Sequence, residues 1–132
     1  MKNKRFLAVL VLIFFIISYQ LSVLAEIGIE FLGVSYENGN IKVNSDIITD
    51  LTDEADGKTV TYSVYQSVYG SLIDTFDFVM GEGIYSVQEG VYLQNMPVIS
   101  FAADGGVNEY TVYASVYGEG TIGQTTITPC LL

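Results

Sequence analysis

Short runs in which apolar and polar residues alternate constrain the fold of this chain more than any other feature. Ile27, Ile29 and Phe31 open the first run, and similar runs recur between clusters of Gly, Asp and Asn. A two-residue period is the signal of a half-buried β-strand, and no stretch after residue 25 sustains the 3.6-residue apolar period of a helix. The sequence therefore predicts an all-β fold.

Turn and breaker residues divide these runs into segments of strand length. Asn38-Gly39 predicts a hairpin turn, a shift of phase at residues 31–33 predicts a bulge, and Gly90 interrupts a candidate strand. Pro97 limits the segment behind it to an edge strand or a separate short strand. Turn signals recur every 8–12 residues or so, which predicts about seven to eight antiparallel strands in a two-sheet sandwich.

The first 25 residues (1–25) have the three parts of a secretory signal peptide. A basic start at residues 2–5 precedes a continuous apolar run, and Val23-Leu24-Ala25 provides small residues where a signal peptidase cuts. A retained membrane anchor is the alternative, because residues 6–25 have about the length that spans a bilayer. Polar residues interrupt the second half of that stretch. We therefore expect cleavage before Glu26 and one secreted or cell-envelope domain over residues 26–132, with no membrane segment.

Composition excludes several classes of function. The chain has no His and one Cys, which excludes imidazole-based catalysis, intrachain disulfides and cysteine-ligated metal clusters. After residue 25, two lysines stand against 15 acidic residues, a net charge of −13. Such a charge argues against nucleic acid and anionic lipid as partners, whereas cations, cationic partners and neutral polymers remain open. We therefore expect that the protein is not an enzyme.

A tyrosine-rich segment occurs twice in the chain. Residues 62–70 (YSVYQSVYG) return as residues 110–118 (YTVYASVYG), with seven of nine positions identical. Strand alternation places the valines of each copy on one face and most of the Tyr, Ser and Thr residues on the other. The valine face is predicted to be buried, with Val64, Val112 and Val116 between two sheets.

The second copy resembles part of a known family of extracellular modules, the immunoglobulin-like and fibronectin type III-like domains. Residues 109–114 (EYTVYA), a Gly-containing turn and a Thr-rich final segment resemble the last two strands of such modules. The resemblance implies an Ig-like sandwich in which the two tyrosine-rich segments are neighbouring strands of one sheet. It then implies one exposed ladder of four side chains: Tyr65, Tyr69, Tyr113 and Tyr117.

These four tyrosines have two interpretations. Strand propensity alone places Tyr, Val, Thr and Ser on outer sheet positions, because such side chains pack well across strands. Alternatively, the ladder is a binding face, since Tyr and Ser provide rigid, amphipathic contact area at low entropic cost.

A second candidate site is an acidic loop before Gly57, formed by Asp50, Asp53, Glu54 and Asp56. Hard cations such as calcium bind several oxygen ligands in loops of this kind, although the residue order does not match an EF-hand. The alternative is a solvated acidic loop without a ligand. We therefore expect no cofactor, with calcium as the one candidate ion.

Two non-catalytic functions fit these features. The first is a secreted or cell-surface assembly protein, such as a filament or surface-layer subunit, in which the segment Ile27 to Phe31 adds as a strand to a neighbour's sheet. The second is a monomeric extracellular binding or adhesion module that uses the tyrosine ladder. The expected partner is a second copy, another protein or a glycan, and not nucleic acid.

Overall fold

Alternating burial along the chain produces nine β-strands in the part that the structure describes. The structure is a computed structural model, and it describes residues 26–51, 54–67, 70–104 and 109–132. The predicted signal peptide, residues 1–25, lies outside the described residues. The strands are β1 (Ile27–Glu37), β2 (Asn40–Thr49), β3 (Thr59–Gln66), β4 (Leu72–Val79), β5 (Ile84–Ser86), β6 (Val91–Asn95), β7 (Ile99–Ala102), β8 (Tyr110–Val116) and β9 (Gly120–Ile127). A short 3-10 turn, Pro129–Leu131, follows β9.

The strands form two antiparallel sheets that pack face to face, which confirms the predicted all-β sandwich. The first sheet has the order β1-β2-β6-β5, and β7 pairs with the other half of β2. The second sheet has the order β4-β3-β8-β9. The two tyrosine-rich segments are thus neighbouring strands of one sheet, as the resemblance implied: Thr61 of β3 lies opposite Ser115 of β8.

Local backbone signals account for the ends and irregularities of the strands. Asn38 and Gly39 have φ angles of 52° and 79°, so the predicted hairpin turn joins β1 to β2. The register between these strands shifts between Phe31 and Gly33, which confirms the predicted bulge. Gly90, with a φ of 70°, separates β5 from β6. The candidate strand that it interrupts therefore forms two strands, which brings the number to nine.

The core lies between the sheets and contains the predicted valine face. Val64 and Val112 lie directly opposite each other, and both are fully buried, as is Val116. The first positions of both repeats, Tyr62 and Tyr110, also point inward and are fully buried. Burial of these apolar side chains is the main favourable term that holds the two sheets together.

Two buried tyrosines hydrogen-bond to groups outside their own strands. The Tyr62 hydroxyl and Ser45 Oγ, on different sheets, are hydrogen-bonded at 2.6 Å. The Tyr110 hydroxyl accepts a hydrogen bond from the backbone N–H of Asp104 at 2.7 Å, and its ring lies 5.4 Å from that of Phe101. Because buried hydroxyl groups need partners, these bonds hold the two sheets together and fix the backbone at Asp104 to the start of β8.

The buried Tyr62 predicts a loss of stability at alkaline pH. Burial raises the pKa of the Tyr62 hydroxyl above its ordinary value of 10.0, although the bond to Ser45 acts in the opposite direction. Above about pH 10 the unfolded chain therefore holds fewer protons than the folded protein, and the free energy of unfolding falls as pH rises. Below pH 10 this residue contributes no pH dependence.

Urea denaturation of the wild type and of Tyr62→Phe between pH 8 and 11 measures this effect. The variant is expected to be less stable at pH 8, because Ser45 loses its partner, and to lose stability less steeply above pH 10. The difference between the two proteins removes the contribution of the other tyrosines. Parallel pH profiles would contradict the assignment to Tyr62.

Candidate binding face

The outer surface of the second sheet brings together two of the four predicted binding-face tyrosines. Tyr113 lies opposite Ser63, and Tyr65 lies opposite Thr111 one step further along the same face. The two rings are diagonal neighbours with centroids 5.6 Å apart and planes at 80°, an edge-to-face contact. Both side chains are half-buried. We call this surface, centred on Tyr65 and Tyr113, the tyrosine face.

Tyr117, another of the predicted tyrosines, does not join this contact. Tyr117 follows the end of β8, where its backbone N–H lies 3.4 Å from the carbonyl oxygen of Thr59, and its side chain is 93% exposed. Because β3 and β8 are antiparallel, Tyr117 is at the far end of the strand pair from Tyr65. Tyr69 lies outside the described residues. The ring contact on this face therefore consists of Tyr65 and Tyr113.

An open groove of about 480 Å³ runs across the tyrosine face. Its lining residues come from β3, the segment after it, β8 and β9: Ser63, Tyr65, Gln66, Ser67, Gly70, Thr111, Tyr113, Ser115 and Thr121. Ser67 Oγ and Thr111 Oγ1 are hydrogen-bonded at 2.6 Å, which connects the end of β3 to the start of β8. The groove thus combines two aromatic rings with hydroxyl and amide groups.

Several lining residues were not among the sequence candidates. Ser63, Thr111 and Ser115 alternate in phase with the tyrosines. Their outward positions in the two repeats could therefore have identified them as lining residues from the sequence. Strand alternation assigns Gln66 to the inner face, but β3 ends at this residue and its side chain borders the groove. Thr121 lies on β9, which returns along β8 after a turn.

The groove is electrically neutral within a strongly acidic protein. None of the lining residues that the structure describes is charged. Both lysines of the described chain are already engaged elsewhere: Lys42 Nζ lies 3.1 Å from Glu37, and Lys58 Nζ lies 3.0 Å from Glu119 and 3.5 Å from Glu54. The hydrogen bond to Glu119 raises the pKa of Lys58. The acidic surface outside these ion pairs therefore carries no compensating lysine, and the described lining of the groove has no fixed charge of either sign.

The acidic loop does not form a cation site among the described residues. Asp53 lies outside the described residues, and no group of three or more Asp, Glu or Cys side chains converges on one point in the rest of the structure. Asp50 and Asp56 are exposed, and Glu54 is paired with Lys58. Calcium binding at this loop stays a prediction.

An apolar sheet edge is the other surface that could serve a function. β4 pairs with β3 on one side, and no strand in the described ranges pairs with its other side. Leu72, Ile73 and Val79 of β4 are exposed, Val79 by 73%. The backbone N–H of Thr75 bonds the Asp74 carboxylate at 2.9 Å instead of another strand. Exposed apolar edge strands of this kind are sites of pairing with other chains.

Comparison with known proteins does not assign the chain to a family. No protein-family model matches it, and no curated protein matches its sequence. Within the ranges that the structure describes, no helix is long and apolar enough to cross a membrane. The geometry of the tyrosine face and of the β4 edge is therefore the basis for assigning a function.

Proposed function

We propose that this protein is a non-catalytic, secreted or cell-surface assembly subunit whose copies associate through the open edge of β4. The observation that carries the proposal is the edge strand β4, which exposes apolar side chains and whose outer side has no partner strand in the described structure. Natural sheets usually protect such edges with Lys, Pro or a covering segment. β4 contains neither Lys nor Pro, and its only charged residues are Asp74 and Asp77.

The strand order supports an Ig-like or fibronectin type III-like module as the family of this subunit. The β4-β3-β8-β9 sheet packs on a sheet built around β1 and β2, with connections that cross between the sheets. Tyr110 stands at the start of β8 and hydrogen-bonds the backbone a few residues upstream, at Asp104. This is the arrangement of the tyrosine corner found in many Greek-key sandwiches. Such modules are common on cell surfaces, which agrees with the predicted signal peptide.

The sequence of β4 permits pairing with itself about a two-fold axis. In antiparallel pairs, residues that lie opposite each other point to the same face of the sheet. The two-fold axis therefore has to pass between the two copies of one residue, which then lies opposite itself. With Phe76 on the axis, Thr75 lies opposite Asp77 of the second copy and Ile73 lies near Val79. No carboxylates then lie opposite each other. An axis through Asp74 or Asp77 would place two like charges in contact, which is destabilising.

The N-terminal strand is a less favourable donor than the sequence suggested, because it is integrated into its own sheet. β1 pairs with β2 along its whole length through a tight hairpin, and Ile27 is buried. A Cβ atom on Gly123 would overlap Ile29 Cγ2, so β9 and β1 approach closely only because this residue is glycine. Pairing at the β4 edge requires no strand to leave its place.

Analytical ultracentrifugation of the purified protein tests the assembly proposal. We expect association that increases with protein concentration and with salt, because two copies of residues 26–132, each with a net charge of −13, repel each other at low ionic strength. Val79→Glu is expected to abolish association by placing a charge in the pairing edge. The matched control is Val98→Glu, which adds the same charge at a 52% exposed valine between β6 and β7.

The outcome that overturns the proposal is equally specific. A monomer at every concentration and salt level would exclude it. So would equal losses for Val79→Glu and Val98→Glu, since these would show a general charge effect in place of an edge contact. Circular dichroism of both variants confirms that they remain folded.

A monomeric binding module is the second candidate function, and the neutral groove on the tyrosine face is the observation that favours it. Two rings in contact and several hydroxyl groups on one flat surface resemble the composition of protein recognition surfaces. This function does not compete for the β4 edge.

A further inference from the structure

We propose that the groove on the tyrosine face binds a neutral polysaccharide. The proposal rests on the second candidate function, the binding module, and is independent of assembly through β4. It names the chemical class of the ligand, and three properties of the groove support it: its charge, its hydrogen-bonding groups and its aromatic rings.

The absence of charged side chains from the described lining favours an uncharged ligand. None of the nine lining residues in the described ranges carries a charge, although the chain beyond residue 25 has a net charge of −13. An anionic ligand would be repelled by the whole protein, and a cationic ligand would find no carboxylate among the described lining residues to pair with. A neutral ligand is not repelled by the acidic protein and needs no carboxylate as a partner.

The polar groups of the groove match those of a sugar. Hydroxyl groups donate and accept hydrogen bonds, and an amide side chain does both through different atoms. Ser63, Ser115 and Thr121 are hydroxyl residues of the lining, and Gln66 provides an amide. A pyranose ring likewise presents several hydroxyl groups, each of which donates and accepts. The groove therefore offers exchangeable partners for the hydrogen bonds that a sugar loses when it leaves water.

The aromatic pair provides an apolar surface for the C–H face of one sugar ring. Tyr65 and Tyr113 are perpendicular to within about ten degrees, at 80°, so one ring presents its edge to the other. This contact holds both rings in place, which reduces the entropy lost when a ligand binds. Because the two rings are nearly perpendicular, only one of them can present its flat face to a sugar ring. We therefore expect one stacked sugar, with its neighbours held by the hydroxyl groups.

The shape of the groove favours a chain over a single sugar. It crosses the open face of three strands and is not a closed cavity. Its volume of about 480 Å³ falls within the usual range of small-molecule sites. An open groove lets a polymer continue beyond both ends, so internal units of a polysaccharide fit it.

Titration of the full-length protein with defined oligosaccharides tests the proposal. The neutral probes are the hexamers of cellulose, xylan, mannan and chitin, and the anionic probe is the hexamer of galacturonic acid. We expect at least one neutral hexamer to bind, with backbone amide NMR shifts concentrated on β3, β8 and β9. The affinity is expected to be insensitive to salt, and the anionic hexamer is expected not to bind.

Three variants identify the contact. Tyr65→Ala and Tyr113→Ala are each expected to weaken binding at least tenfold. The matched control is Tyr117→Ala, which removes an exposed tyrosine of the same repeat outside the groove and is expected to leave the affinity unchanged. Val79→Glu is also expected to bind normally, so that a failure of assembly and a failure of sugar binding are recognised separately.

Several results would overturn the proposal. They are the absence of binding by all four neutral hexamers, equal binding of the anionic hexamer, and NMR shifts located away from the groove. The shift map uses the unmodified protein, so it remains decisive even if a tyrosine variant fails to fold. Equal losses for Tyr117→Ala and Tyr113→Ala would also count against the groove.

Discussion

Replacement of Tyr110 by alanine is expected to lower the free energy of unfolding by about 3–5 kcal/mol, the range for deletion of a large buried aromatic side chain. Tyr110 is 0% exposed, its ring contacts Phe101, and its hydroxyl accepts the Asp104 N–H at 2.7 Å. A domain of this size has only about 5–15 kcal/mol of stability in total. The loss is therefore a large share of the total stability, and a clearly lower melting temperature is expected.

Tyr110→Phe separates the packing of the ring from the hydrogen bond. The ring stays and only the hydroxyl is lost, so the expected cost is about 0.5–1.5 kcal/mol. Guanidinium denaturation of the three proteins, followed by circular dichroism, measures both differences. Equal losses for the Phe and Ala variants would show that the bond to Asp104, and not the buried ring, holds this corner. A loss below about 1 kcal/mol for Tyr110→Ala would contradict its burial.

Shortening the opposed valines of the two repeats is expected to have the next largest effect. Val64→Ala and Val112→Ala each remove two methyl groups from fully buried positions, and each is expected to cost about 1–3 kcal/mol. The two valines lie directly opposite each other, so the space left by the two truncations would be shared. The double variant is therefore expected to depart from the sum of the single losses.

The matched controls are on the outer face of the same two strands. Thr61 and Ser115 also lie directly opposite each other, but both are only partly buried. Thr61→Ala and Ser115→Ala are expected to cost about 0.5 kcal/mol or less, as for most surface substitutions. Chemical denaturation under identical conditions compares the four variants. Similar losses on the two faces would show that the register of β3 and β8 is wrong.

Features that depend on neighbouring residues could be predicted from the amino-acid sequence. Alternation of apolar and polar residues identified the strands and the buried face of Val64 and Val112, because successive strand residues point to opposite sides. Asn38-Gly39 identified its hairpin because few other residue pairs adopt two positive φ angles without strain. The net charge follows directly from the composition, since it needs no knowledge of which residues meet.

Features that depend on which strands meet required the folded protein. The antiparallel pairing of β3 with β8 brings Tyr65 to Tyr113 and places Tyr117 at the opposite end of the strand pair. No local sequence pattern indicates that these two strands run antiparallel to each other. The same sheet places Gln66 and Thr121 beside the tyrosines and leaves β4 as one of its two edge strands. The groove, its neutrality and the open edge arise from contacts between residues far apart in the chain. Local propensity and alternation act only over a few residues, so they carry no information about such contacts.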